Sequence, residues 1–194
     1  MKYAKDIKKF MFNGDFEQKD NGFLIHSSIM VRGKYTHSVN GGQDERVDYN
    51  LLPAEGIKHI LDVCLGATAK TATWYLALFG NATPAANWTA GGSPTFATAA
   101  SEIVSGTEGY SETYRQAWVP GVATAGVIGN LASRAEFTIV TASTLDIYGA
   151  ALLSSQTKGG TSGVLVSASR FANKRTQSNG DTFELGYEVE LTDS

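Results

Sequence analysis

One cysteine, Cys64, stands in a chain of 194 residues, so no internal disulfide can close and no thiolate metal site can form from one copy. Charge is also scarce: Asp, Glu, Lys and Arg make up 18 % of the residues, below the usual quarter, and the formal net charge is −3. That balance argues against a nucleic-acid partner, which demands a basic patch. The one cluster of base, Lys2, Lys5, Lys8 and Lys9, is short. No apolar run approaches the roughly 18 residues of a membrane helix, and the first residues lack the apolar centre of a secretion signal. The expectation is a soluble protein made in the cytoplasm, without a membrane partner. The three histidines, His26, His37 and His59, are scattered with no two at ligand spacing on one face, so no metal is expected.

What is abundant is small and apolar. Hydrophobic residues reach 42 %, enough for a proper core, and the 21 glycines exceed the average share, so small neutral residues carry the turns. From Ala67 to Ala100 only Lys70 is charged, and this shift near Gly66 divides the chain into an arm (1–20), a strand, loop and helix packed on the core (21–66), and a main domain (67–194). Within the arm, Tyr3, Ile7, Phe10 and Met11 fall at i, i+4, i+7 and i+8, one helical face with lysines opposite. Such a segment either packs on its own domain or docks on a partner subunit.

The strongest periodicity lies at the end. Phe183, Leu185, Tyr187, Val189 and Leu191 alternate with polar positions that include Glu184, Glu188 and Glu190. A period of two with one wet face marks a strand of an antiparallel sheet. Asn179-Gly180 just before it is a hairpin signal. Further strands are predicted at residues 22–32, 71–79, 135–140, 145–153 and 163–169. Residues 40–48 read as a loop. One helix is predicted, with Asn50 as cap, Pro53 in its first turn, Ile57, Ile60, Leu61 and Cys64 as core stripe, and Gly66 as stop. On that reading Cys64 is a small core residue and His59 is surface or interface. Short strands with a single helix predict a mainly β chain, an antiparallel, jelly-roll-like β-sandwich with an N-terminal arm.

The long Ala, Thr, Gly and Pro-rich connection over residues 82–101 calls for a task, since ordering it costs entropy; Trp88 and Phe96 are its anchors. Residues 109–121 hold the densest set of recognition-type side chains, Tyr110, Tyr114, Arg115 and Trp118. Tyr114 and Trp118 either fill a corner of the core or face a partner. No catalytic constellation stands out, and no cofactor is called for. Asp44, Glu45 and Asp48 lack the ligand pattern of a calcium loop. Residues 159–163, Gly-Gly-Thr-Ser-Gly, read as a turn between strands, with no helix or lysine behind them to hold a phosphate. Asn81-Ala-Thr83 and Asn87-Trp-Thr89 match the glycosylation pattern, which without a secretion signal is chance.

A resemblance runs through Trp74-Tyr-Leu-Ala-Leu-Phe-Gly80, Glu102-Ile103, Gly109-Tyr110, Tyr114-Arg-Gln-Ala-Trp118, Phe137-Thr138 and Ile147-Tyr-Gly-Ala-Ala-Leu152. It continues through Gly163-Val-Leu165, Arg170-Phe171, the Asn179-Gly-Asp181 turn and the terminal strand. Over residues 71–191 the chain resembles small β-sandwich virion proteins of tailed bacteriophages, described as head decoration or cement proteins and as tail or tail-fibre proteins. The resemblance implies a non-enzymatic structural protein on the outer surface of the head, bound to the major capsid protein and self-associated, as a trimer at a local threefold. It would sit over a junction between capsid subunits, with residues 1–18, among them Tyr3, Ile7, Phe10 and Met11, and residues 82–101, with Trp88 and Phe96, making the contacts. Self-association would bury the cluster around Tyr114 and Trp118. The alternative is a tail module binding glycan or receptor through Trp88, Tyr110 and Trp118, since rings stack on sugars. A hydrolase would need two carboxylates facing one groove, and none is legible.

Overall fold

In the computed structural model, the described residues are 16–19, 22–25 and 29–193. The elements run β1 (Phe16–Lys19), β2 (Gly22–Ile25), β3 (Ile29–Val39), β4 (Gln43–Tyr49), α1 (Ala54–Cys64), β5 (Trp74–Phe79), α2 (Phe96–Ala99), β6 (Gly109–Tyr110) and β7 (Gln116–Trp118). They continue with β8 (Val127–Gly129), β9 (Ala135–Val140), β10 (Thr144–Leu153), β11 (Leu165–Ser178) and β12 (Thr182–Asp193). One sheet has the order β11-β10-β5-β7 and the other β4-β3-β12-β9-β6, with β8 also on β12. All strand pairings are antiparallel, and the two sheets face each other across one core of Tyr35, Leu76, Leu78, Phe137, Leu152 and Phe183 among others. The protein is a mainly β antiparallel sandwich. The arm residues Tyr3, Ile7, Phe10 and Met11, and His26, lie outside the described residues.

Strand β12 organises the larger sheet. One of its edges pairs with β3 from Phe183↔Val39 to Asp193↔Ile29, and the other pairs first with β9 and then with β8. Its alternation holds as far as Val189: Phe183, Leu185 and Tyr187 are buried, Val189 is half-buried and Glu190 is exposed, whereas Leu191, also on the predicted core side, is exposed past the edge of the core. Because β3 supplies Tyr35 and Val39 to the shared core, residues 29–66 belong to the same sandwich. The predicted strand over 22–32 is two strands, β2 and β3. The predicted loop over 43–48 is strand β4, joined to β3 by a turn at Asn40, Gly41 and Gly42 whose positive φ angles suit those residues. Strand β4 is charged because it is an edge strand with a wet face; Arg46 there binds Asp44 at 2.8 Å.

Strand β5 is apolar throughout for the opposite reason: both of its faces are covered. Leu76 and Leu78 enter the core between the sheets, whereas Ala77 and Phe79 join a second cluster with Ala151, Leu153, Trp88, Ala90 and Phe96. That second cluster is closed by residues 82–101, which lie as a third layer on the outside of the smaller sheet. Phe79, Trp88 and Phe96 meet edge to face, with centroids 6.0–6.2 Å apart. Gly149, opposite Phe79 in the β10–β5 ladder, makes room for that ring, since a Cβ there would lie 2.2 Å from it. The connection contains α2, a second helix, short enough to escape sequence periodicity. It is a cover rather than a projecting contact loop.

Helix α1 docks with a face rotated from the one predicted, and of the predicted stripe only Ile60 meets the core. Gly56 lets it close onto β11, where a Cβ would meet the Val166 carbonyl at 2.3 Å. His59 packs edge-on against Trp74 at 5.4 Å, and Ile60 joins the core. Ile57, Leu61 and Cys64 face solvent, so Cys64 is not a core residue. Pro53 is the N-cap without a side-chain cap bond; Asn50 instead donates to the Tyr187 hydroxyl at 3.0 Å. Glu55 in the first turn accepts from the Leu165 and Ala90 amides at 2.7 and 2.8 Å, tying helix, β11 and the third layer together.

His37 is fully buried on β3, stacked 3.9 Å from Phe171, and donates through Nε2 to Asp48 at 2.9 Å. Its Nδ1 is buried without a partner, as suits the neutral ring. Burial lowers its pKa from 6.5, and this outweighs the opposing bond to Asp48. The unfolded chain therefore binds more protons between the depressed value and 6.5, so stability should fall as pH drops through that window, by at most about 1.4 kcal/mol per pH unit. Carboxylates held low, such as Glu184 by the Ser38 hydroxyl, weaken the fold only below their ordinary 4.5. Urea unfolding against pH should show the upper slope in the native protein and lose it in His37→Gln. Phe96→Ala should cost about 3–5 kcal/mol by the same measurement, against under about 0.5 for a surface loop residue.

Candidate contact surfaces

Five of the six recognition-type side chains named for residues 82–118 are interior. Trp88, Phe96, Tyr110, Arg115 and Trp118 are buried within the chain, and only Tyr114 is exposed. Arg115 binds Glu102 through Nε and Nη2, each at 2.7 Å, and neither side chain touches solvent. Its Nη1 donates to the Ser155 carbonyl at 2.9 Å, its backbone amide donates to Gln156, and its guanidinium lies 5.9 Å from the Phe96 centroid. Glu102 accepts a further bond from the Gly159 amide at 3.0 Å. Three accepted hydrogen bonds, two from Arg115 and one from Gly159, hold this carboxylate in a structural role. The Gly-rich turn over 159–163 thus serves to close the ion pair.

Tyr110 and Trp118 bind the same knot to the sheets. Tyr110 packs edge-on against Phe137 at 5.0 Å, and Lys158 lies 3.5 Å over its ring while donating to its carbonyl at 2.9 Å. Burial raises the Tyr110 phenol above its ordinary range and lowers the Lys158 ammonium. Trp118 donates through Nε1 to the Tyr187 carbonyl at 3.0 Å across the sandwich. Sugar stacking on Trp88, Tyr110 or Trp118, and a trimer contact through Trp118, are therefore excluded by burial.

The surface that remains has three notable parts. The first is the loop between β7 and β8. Its base is held by Gly121 to Gly129 at 2.9 Å and by reciprocal bonds between Thr124 and Val127, and the Leu191 amide donates to Gly126 at 2.9 Å. Yet Val122 is 93 % exposed, with Val119 and Leu191 also open. The second is the outward stripe of α1, Ile57, Leu61 and Cys64, extended by Leu65 at 85 % exposure. The third is the outer face of the larger sheet, where Arg32, Lys34, Tyr49, Glu188 and Glu190 surround a hollow of about 140 Å³. Lys34 binds Glu188 at 2.9 Å, which raises the lysine pKa, and Tyr49 is 75 % exposed.

None of these three surfaces was named from sequence. The loop had one signal, Val119-Pro-Gly-Val122, in which two valines flank a turn. Among the described residues, no group of three or more His, Cys, Asp or Glu is placed to hold a metal, and no helix is long and apolar enough to cross a membrane.

If Arg115 is an interior ion rather than a contact residue, Arg115→Met should cost about 3–5 kcal/mol by stranding Glu102. Adding Glu102→Leu should return at least about 2 kcal/mol of that, read as a coupling energy in a double-mutant cycle by urea denaturation. No protein-family model and no curated protein matches the chain.

Proposed function

We propose that this protein is a structural virion protein of a tailed bacteriophage, binding the outer surface of the head as a decoration protein that stabilises the shell. The observation that carries the reading is the β7–β8 loop, apolar at its tip and stapled at its base. A soluble surface gains nothing from a rigid loop that displays Val119 and Val122 beside Leu191. A partner surface does gain, because a loop already held in one conformation loses little entropy on docking. The resemblance of residues 71–191 to virion sandwiches points the same way. The third layer over β5 and the buried ion pair add rigidity, which a clamp on a shell requires.

Stabilisation follows by mass action, since contacts that exist only on the assembled surface favour the assembled state. The loop end of the sandwich is the part that meets the capsid protein in this reading, and exposed Tyr114 is left for contacts between copies. A second reading, a tail component that binds glycan or receptor, draws on Tyr49 standing exposed beside Lys34 and Glu188, a ring with hydrogen-bonding charges at hand. Saturable binding to host polysaccharide, lost in Tyr49→Ala, would favour it.

Co-sedimentation with empty heads of the same phage tests the first reading. Saturable binding in proportion to shell subunits is expected, weakened at least about tenfold, or about 1.4 kcal/mol, by Val122→Asp. Native protein that leaves the heads bare would overturn it.

A further inference from the structure

We infer that the N-terminal segment, residues 1–15, docks on the outward apolar stripe of α1 in the same chain. Helix α1 carries apolar residues on both sides: Gly56, His59 and Ile60 face inward, and Ile57, Leu61, Cys64 and Leu65 face outward. These four positions fall at i, i+4, i+7 and i+8. Tyr3, Ile7, Phe10 and Met11 have the same spacing. Two stripes of equal length and register can lie along one another as helix on helix, each removing the other's apolar surface from water.

The chain's connectivity puts the two within reach. Phe16 pairs with Ile25, so the β1–β2 hairpin brings the end of the segment back beside the residues that lead into β3. The connecting stretches 12–15 and 26–28 then allow a span of about 30 Å from the start of β3. Val31 near that start and Leu52, two residues before α1, line one hollow of about 470 Å³. From there α1 extends about 16 Å, a length the segment can follow. A tether this short gives an effective concentration near millimolar, which favours the chain's own segment over that of a second copy.

Cys64, the chain's one cysteine, lies in the stripe and reports its cover. The thiol of the full-length native protein should react with a maleimide at least about tenfold more slowly than in the full-length variant Ile7→Asp/Phe10→Asp. It should also stay protected through about a hundredfold dilution, because the cover is intramolecular. Leu61→Asp, at an exposed position that leaves the core intact, should release the thiol to the same extent. Equal rates in native protein and variants would overturn the inference. So would protection that disappears on dilution, which would assign the cover to another copy. The result does not depend on whether the protein binds a phage head.

Discussion

The ion pair of Glu102 and Arg115 is the interaction on which the arrangement of layers depends. Taking a carboxylate and a guanidinium out of water costs several kcal/mol per ion, and their attraction offsets this only when the remaining donors and acceptors are also used. Here they are used by the Ser155 carbonyl and the Gly159 amide. The pair therefore fixes three segments at once: the end of the connection that covers β5, the strand entering β7, and the loop between β10 and β11. With those fixed, the Trp88 and Phe96 rings have a rigid edge to pack against. The smaller sheet can then be apolar on both sides.

The legible parts of the sequence were those governed by local periodicity. The terminal strand could be read because its sheet has one wet face, and the strand over 135–140 for the same reason, whereas the strand over 145–153 showed as a short apolar run because both of its faces are covered. Trp74 to Phe79 was legible as a strand, but what covered its second face was not, because the cover is an irregular segment anchored by two widely spaced rings. Helix α1 shows the limit of amphipathicity. Its stripe of Ile57, Leu61 and Cys64 is real, but which side faces the sandwich is decided by Gly56, the residue small enough for close approach to β11. Arg115 looked like a recognition residue because its partner, Glu102, is thirteen positions away with no periodic relation to it. Burial of that kind is a property of the tertiary fold.

What the packing leaves outside bears on function more than what it encloses. Most aromatic side chains of the 109–118 segment are consumed by the core. Among the described residues, the most exposed aliphatic side chains are Val122 on the β7–β8 loop and Leu65 at the end of α1, with Tyr49 and Tyr114 the large aromatic side chains left open. A rigid loop tip and an outward helix stripe are features of a protein that works by contact. Their chemistry, apolar and uncharged, suits a dry footprint rather than an electrostatically steered one.

The most direct measurement of the decoration role is an electron cryomicroscopy reconstruction of the phage head at a resolution that separates sheets. Decoration requires two-sheet density outside the shell at equivalent lattice positions, with the end carrying Val122 turned toward the capsid protein. A bare shell, with the same density found in the tail, would contradict it.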